Sequence, residues 1–229
     1  MNYNTFCVFD FETGGRNPHT CEILQIGAIM VCERTLTRLS SFTSFVKPHN
    51  MDTVEDDALK VNGISREMLD GLSEAFYPEV IWAKFSAWVN KYNKSKGAPS
   101  PYNAPIQCGF NTINFDMTIL RRYCKLYGPW DLKNEDQKLF NQVYKIDVMD
   151  LVWLWFEHSN AVENLRLTTI AKHLGVEERR LEKAHDALVD CEYCADIIIE
   201  YLRRSRLKLP SMNYMKDMLK PKSNEVVNE

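Results

Sequence analysis

No apolar run in this 229-residue chain approaches the ~20 residues that a membrane-spanning helix needs. The opening MNYNT has no signal-peptide character. A soluble, internal, cytoplasmic protein is the expectation. Net positive charge is missing too. The chain has 28 Lys and Arg against 31 Asp and Glu, a formal charge of −3 with a pI near 6.0. That excludes a generally basic nucleic-acid coat and leaves room for a local basic groove. Nor is there a disulfide framework. The seven cysteines are an odd number, scattered and mostly inside apolar runs, as Cys7, Cys108, Cys191 and Cys194 are. Reduced thiols are the reading. The lone C-x-x-C of Cys191 and Cys194 lies in a helical pattern without a second ligand pair, so packing is expected there rather than zinc. No internal repeat is present. What remains is ordinary for a globular chain, 45% hydrophobic and 26% charged, and long enough for one domain with a substantial core.

Residues 5–12 read as a strand, with 22–33 and 38–48 as two more on short links, which predicts an antiparallel meander. Short helices are expected at 54–60 and 65–72, around VNGIS. Residues 78–92 set Val80, Ile81, Phe85, Trp88 and Val89 in a helical stripe behind a first-turn proline. A loop at 93–105, the strand IQCGF, the helix FDMTILRRYCKLYG, a surface insertion GPWDLKNEDQKLFNQ and the strand VYKIDVM follow. Helices at 165–176 and from about 186 to 206 close a domain spanning residues 1–208. Residues 209–229 form a tail, either frayed or docking on a partner or second subunit through Met212, Met215, Met218 and Leu219. Strands first, then alternating helices and strands, predict an α/β domain with a mixed sheet.

The informative stretch is FCVFDFETGG, residues 6–15. Alternation along a strand puts Asp10 and Glu12 on one face, about 6.5–7 Å apart. Their apolar neighbours imply a central strand, where ionised carboxylates are costly unless something compensates them. Gly14 and Gly15 would let a backbone or a phosphate approach closely. Two further acids are ambiguous alone. Asp116, in GFNTINFDMTIL, suits an ordinary helix cap. In KAHDALVDCEYC, His185 and Asp190 would not share a helix face, and converge only if His185 lies in the loop before the helix.

Together, D-x-E-T-G, then F-D at a helix start, then H-x-A-x-x-D resemble the motif set of the DEDDh 3′→5′ exonucleases, in the DnaQ-like, ribonuclease H-like group. ILQIGAI, ALKVNGIS and LRLTTIAKHLGV extend the likeness over residues 5–204. The resemblance implies a ribonuclease H-like mixed five-stranded sheet flanked by helices. It also implies that Asp10, Glu12, Asp116 and Asp190 hold two Mg²⁺ ions, with Mn²⁺ able to substitute, and that His185 is the general base. The product would be a nucleoside 5′-monophosphate. Substrate contacts implied in the same way are Phe11, Thr13, Gly14 and Ile64, with Asn111 and Phe115 in the middle motif. Phe11 and Ile64 equally suit plain core packing.

GFNTINFD is similar to the G-Y-N-x-x-x-F-D form of exonuclease I-type enzymes, with Phe110 in place of tyrosine. That favours single-stranded DNA over RNA. An exoribonuclease, a proofreading subunit with a polymerase or replication partner, a homodimer and a nuclease-dead binding module are the competing expectations. Basic clusters at Arg121, Arg122 and Lys125, at Arg179, Arg180 and Lys183, and at Arg203, Arg204, Arg206 and Lys208 could track a phosphate backbone or be solvated helix faces.

Overall fold

Strand β1 (Thr5–Thr13) is apolar on both faces because it lies mid-sheet with helices on either side. This computed structural model describes residues 4–157, 160–175 and 186–208. After β1 come β2 (Ile23–Cys32), β3 (Thr37–Phe45), α1 (Asp56–Asn62), α2 (Arg66–Asp70), α3 (Pro78–Asn90), β4 (Ile106–Gly109) and α4 (Asp116–Tyr127). A hairpin of β5 (Trp130–Asp131) and β6 (Asp136–Gln137) leads to β7 (Lys145–Asp147), α5 (Val148–Phe156), α6 (Leu167–His173) and α7 (Ala187–Lys208). The main sheet runs β3-β2-β1-β4-β7. Its β1–β2 and β2–β3 pairs are antiparallel, while β1–β4 and β4–β7 are parallel, so β2 alone runs against the rest. This is the mixed five-stranded α/β architecture that the motifs implied. No helix among the described residues is long and apolar enough to cross a membrane.

Alternation along β1 sorts its side chains between two cores. Cys7, Phe9 and Phe11 pack with Trp82, Phe85, Leu120 and Phe140, under α3 and α4. Phe6 and Val8 pack with Val152, Ile170, Cys194 and Ala195, under α5, α6 and α7. Asp10 and Glu12 continue this second face, so any helix that covers Phe6 and Val8 also overhangs the acids.

Several sequence expectations shift in detail. The insertion at 128–142 is only partly on the surface: Leu139 and Phe140 are fully buried, and Phe140 stacks on Phe9 with ring centroids 5.5 Å apart. Strand β7 is three residues long, because Asp147 caps α5 immediately after it. Cys191 and Cys194 are buried free thiols in the core. Three arginines of the C-terminal basic cluster have partners within the fold. Arg203 and Arg204 pair with Glu200 (2.7 Å each), and Arg206 donates to the Glu33 and Arg34 carbonyls at 2.9 and 3.1 Å. The cluster at Arg179, Arg180 and Lys183 and the tail 209–229 lie outside the described residues.

Candidate active site

The site is built where β1 ends. Across from Asp10 and Glu12 on β2 stand Gly27 and Gln25. A Cβ on Gly27 would lie 2.3 Å from the carbonyl carbon and oxygen of Ala187. The first turn of α7 can therefore rest on the sheet only because residue 27 has no side chain. Gln25 Oε1 accepts the Ala187 N–H at 3.3 Å, and Asp186 caps the helix by accepting from the Leu188 and Val189 amides at 3.0 and 3.3 Å. Seated this way, α7 brings Asp190 to Asp10 and Glu12, and one carboxylate oxygen of each lies within 4.8 Å of the others.

The fourth acid comes from the far side of the sheet. Asp116 is the first residue of α4 and is buried. Its Oδ1 accepts the Phe11 N–H at 3.2 Å, across 105 positions of chain, so the carboxylate is turned toward β1. The sharp turn from β4 into α4 is organised by Asp147, which sequence reasoning passed over as part of a strand. Its Oδ1 accepts the Asn111 N–H (2.8 Å) and the Met149 N–H (3.0 Å), and its Oδ2 accepts the Thr112 N–H (2.9 Å). An acid directly before the apolar helical run VMDLVWLWF was the available signal for such a cap. Asn111 sits at φ 58, and a Cβ on Gly109 would meet Thr112 Cγ2 at 2.1 Å. Both features belong to the same tight turn.

Crowding perturbs the acids strongly. Burial first, then the charges of Asp116, Glu12 and Asp190, push the Asp10 carboxyl well above the usual carboxylate range. Burial and the neighbouring Asp190, Asp116 and Asp186 raise Glu12 to about 8. Burial raises Asp116 to about 7, against the lowering effect of the Phe11 amide. Groups held like this ionise together near neutral pH only if a cation joins them. Clustered carboxylate oxygens are the donor set of hard divalent ions, so the residues present fit a metal.

The other expected contacts are placed as follows. Thr13 is buried, its Oγ1 donates to the Gly15 carbonyl at 2.9 Å, and its own carbonyl accepts from Asn62 Nδ2 at 2.9 Å. Gly14 is braced on both sides, by its N–H to the Glu22 carbonyl and by the Glu55 N–H to its carbonyl (2.8 Å each). The ring of Phe11 packs near Phe9 and Trp82, and Ile64 packs with Leu24, Val54 and Leu69, so both side chains sit in core clusters. Phe115 packs partly buried against the α3–α4 core. Asn111 is exposed and lines a cavity of about 740 Å³ with Asp10, Asp190, Phe110 and Arg166, wide enough for a nucleotide. His185 lies outside the described residues, one position before the Asp186 cap.

Comparison with known proteins gives the family and the fold. A family model described as Exonuclease (RNase_T) matches residues 7–198. Protein NEN1 of Arabidopsis thaliana is 24% identical over 199 residues, 83% of this chain and 36% of its own length. Among solved structures, exonuclease I from Methylocaldum szegediense has a TM-score of 0.66 at 19% identity, covering 90% of this chain and 41% of that one. E. coli exonuclease I in complex with a dT13 oligonucleotide has a TM-score of 0.66 at 17% identity, covering 93% and 43%. A zinc-bound E. coli exonuclease I–single-stranded DNA complex has a TM-score of 0.64 at 18% identity, covering 93% and 43%. The chain thus spans less than half the length of each of these relatives.

Proposed function

The chain belongs to the Exonuclease family, and from that premise we propose that it is a metal-dependent 3′→5′ exonuclease acting on single-stranded DNA. The observation that carries this reading is the convergence of Asp10, Glu12 and Asp190 at the end of a buried strand, with Asp116 beside them. Support for the substrate comes from the likeness of GFNTINFD to the exonuclease I motif, and from relatives of that fold that bind dT13 and single-stranded DNA. Asp10, Glu12, Asp116 and Asp190 would hold two Mg²⁺ ions, with Mn²⁺ fitting the same oxygen donors. When bound, the ions stabilise charge on the attacking and leaving oxygens of an in-line displacement at phosphorus.

The protein's own groups do the positioning. Gly27 and Gln25 seat α7 so that Asp190 faces Asp10, and Asp147 sets the turn that delivers Asp116. The cavity beside Asn111 would receive the terminal nucleotide. His185, just ahead of the Asp186 cap, would take the proton from the attacking water, and the 5′-monophosphate would leave. A reducing compartment such as the cytoplasm suits the free thiols.

The expected result for His185→Ala is a fall in turnover of ~10²–10⁴-fold with DNA binding retained, since a positioned general base contributes about that much. In the wild-type protein the rate falls in acid as the imidazole protonates. An unchanged rate and pH profile in the variant removes His185 from the reaction.

Substrate form is tested with matched 5′-labelled DNA and RNA oligonucleotides, single-stranded and blunt duplex, in Mg²⁺ and in EDTA. Single-stranded DNA is digested fastest, because a duplex end must first be unpaired at a cost of a few kcal/mol, and EDTA stops digestion. RNA cut faster than DNA assigns the site to an exoribonuclease. Blunt duplex cut as fast as single strands contradicts the proposal.

A further inference from the structure

A basic groove runs along α4, the helix that begins at Asp116. Thr118, Arg121, Arg122 and Lys125 follow one another at helical spacing on one face of α4, and with His19 and Trp130 they line a groove of about 430 Å³. Both walls start at the acids. His19 is carried by the segment that leaves β1 just after Glu12 and Thr13, and α4 begins at Asp116. The walls are tied together: Arg122 donates to the Cys21 carbonyl, while Tyr123 Oη donates to Glu22 Oε2 and accepts the Ile23 N–H, both at 3.0 Å.

The cations differ in how far they are already answered. Arg121 is paired with the Asp136 carboxylate and donates to the Glu135 carbonyl at 3.0 Å. Arg122 donates to a neutral carbonyl, lies 5.1 Å from the centre of the Tyr123 ring, and forms no ion pair among the described residues. Lys125 is exposed and forms no ion pair among the described residues, and its Nζ lies 5.9 Å from the centre of the half-buried Trp130 ring. In a chain of net charge −3, a strip of cations interleaved with an indole has the chemistry of a single-strand binding surface.

We infer that this groove is the path of the nucleic-acid strand upstream of the scissile bond, with Arg122 and Lys125 against its phosphates and Trp130 as a stacking surface. The assignment rests on the exonuclease reading for what happens at the acid end. Nine residues of helix separate Asp116 from Lys125, about 13 Å at 1.5 Å per residue. At roughly 3.4 Å per stacked nucleotide this distance spans about four nucleotides. A substrate of one or two nucleotides therefore never reaches Lys125, whereas a longer strand does.

Two measurements on the full chain separate the groove from the chemistry. The first is binding, at low salt in EDTA, of a fluorescent single-stranded oligonucleotide of about 12 nucleotides. The second is hydrolysis of the p-nitrophenyl ester of thymidine 5′-monophosphate in Mn²⁺. Lys125→Glu weakens oligonucleotide binding roughly tenfold, and Lys125→Ala lowers the slope of log affinity against log salt by about one. Ester hydrolysis is the same in both variants as in the wild type. Lys84→Glu, on an exposed turn of α3, makes the same change in net charge and leaves binding unaltered. Oligonucleotide binding unchanged in Lys125→Glu, or weakened equally by Lys84→Glu, overturns the groove. A wild-type protein that hydrolyses neither ester nor oligonucleotide contradicts the exonuclease reading instead, while loss of binding in Lys125→Glu alone still upholds the groove.

Discussion

Asp10→Asn abolishes hydrolysis and at the same time raises the melting temperature of the metal-free protein. The two effects have one cause. Asp10 lies among Asp116, Glu12 and Asp190, and burial together with their charges makes its ionised form unfavourable in the fold. Without a cation the cluster is held at a cost, and removing one charge relieves it by about 1–3 kcal/mol. In a protein of this size that corresponds to roughly 2–10 °C in Tm. The same neutralisation removes an oxygen donor from the metal set, and turnover should drop by at least ~10³-fold.

The pH dependence follows with a definite sign. Glu12 stands at about 8 in the fold against 4.5 for an unperturbed Glu, and Asp116 at about 7 against 3.8. Between those limits the native state binds more protons than the unfolded state, so unfolding free energy falls as pH rises through the window. In EDTA the wild-type Tm therefore declines from about pH 5 to pH 8, and Asp10→Asn shows a shallower decline. Excess Mg²⁺ raises the Tm most at the alkaline end, because it binds the ionised native site. A wild-type Tm that climbs across this range in EDTA, or an Asp10→Asn variant with near-normal digestion, contradicts the assignment of the acids.

Gly27→Ala should cost more activity than a single methyl group suggests. The added Cβ would meet the backbone of Ala187 at 2.3 Å, and the peptide there cannot swing aside as a flexible side-chain tip could. Strand β2 and the first turn of α7 must separate, at a cost of about 1–3 kcal/mol in stability. Asp190 moves with the helix, and a displacement of about 1 Å at a reacting centre is enough for a loss of ~10²-fold in turnover. Measured well below its Tm, Gly27→Ala has a low kcat with oligonucleotide binding near normal, because the groove on α4 is remote from α7. Gly97→Ala is the control, since a Cβ there meets nothing within 4 Å. Wild-type turnover in Gly27→Ala would show that the seat of α7 does not position Asp190.

What the sequence disclosed and what it hid divide along physical lines. Asp10 and Glu12 were legible because strand alternation is a local rule, and the apolar letters around them marked a central strand. The start of α7 near residue 186 was legible for a similar reason, from the apolar periodicity of the segment. The partner of Asp116 was not, because Phe11 N–H lies 105 positions away and a helix cap explained the same residue locally. Asp147 was hidden in the same way: its amide partners at Asn111 and Thr112 are 36 and 35 positions upstream. Gly27 looked like one more small residue in ILQIGAI, and only the approach of α7 gives it a role. The charge pattern left Arg203, Arg204 and Arg206 open between a phosphate track and a solvated face, and could not show their ties to Glu200 and to the β2–β3 turn. Composition cannot tell an answered charge from a free one. The groove on α4 shows the difference, because Lys125 has a ring beside it and no ion pair among the described residues.

Hydrolysis by the four acids is expected to start from a free 3′ end. The most direct test follows a 5′-labelled single-stranded DNA through time in Mg²⁺, resolving every product length and identifying the released nucleotide, alongside a circular strand of the same sequence. The expected result is a ladder that shortens from the 3′ end with the 5′ label retained to the last, free nucleoside 5′-monophosphates, and an untouched circle. Label released first as a mononucleotide, or the circle cut into fragments, would contradict it.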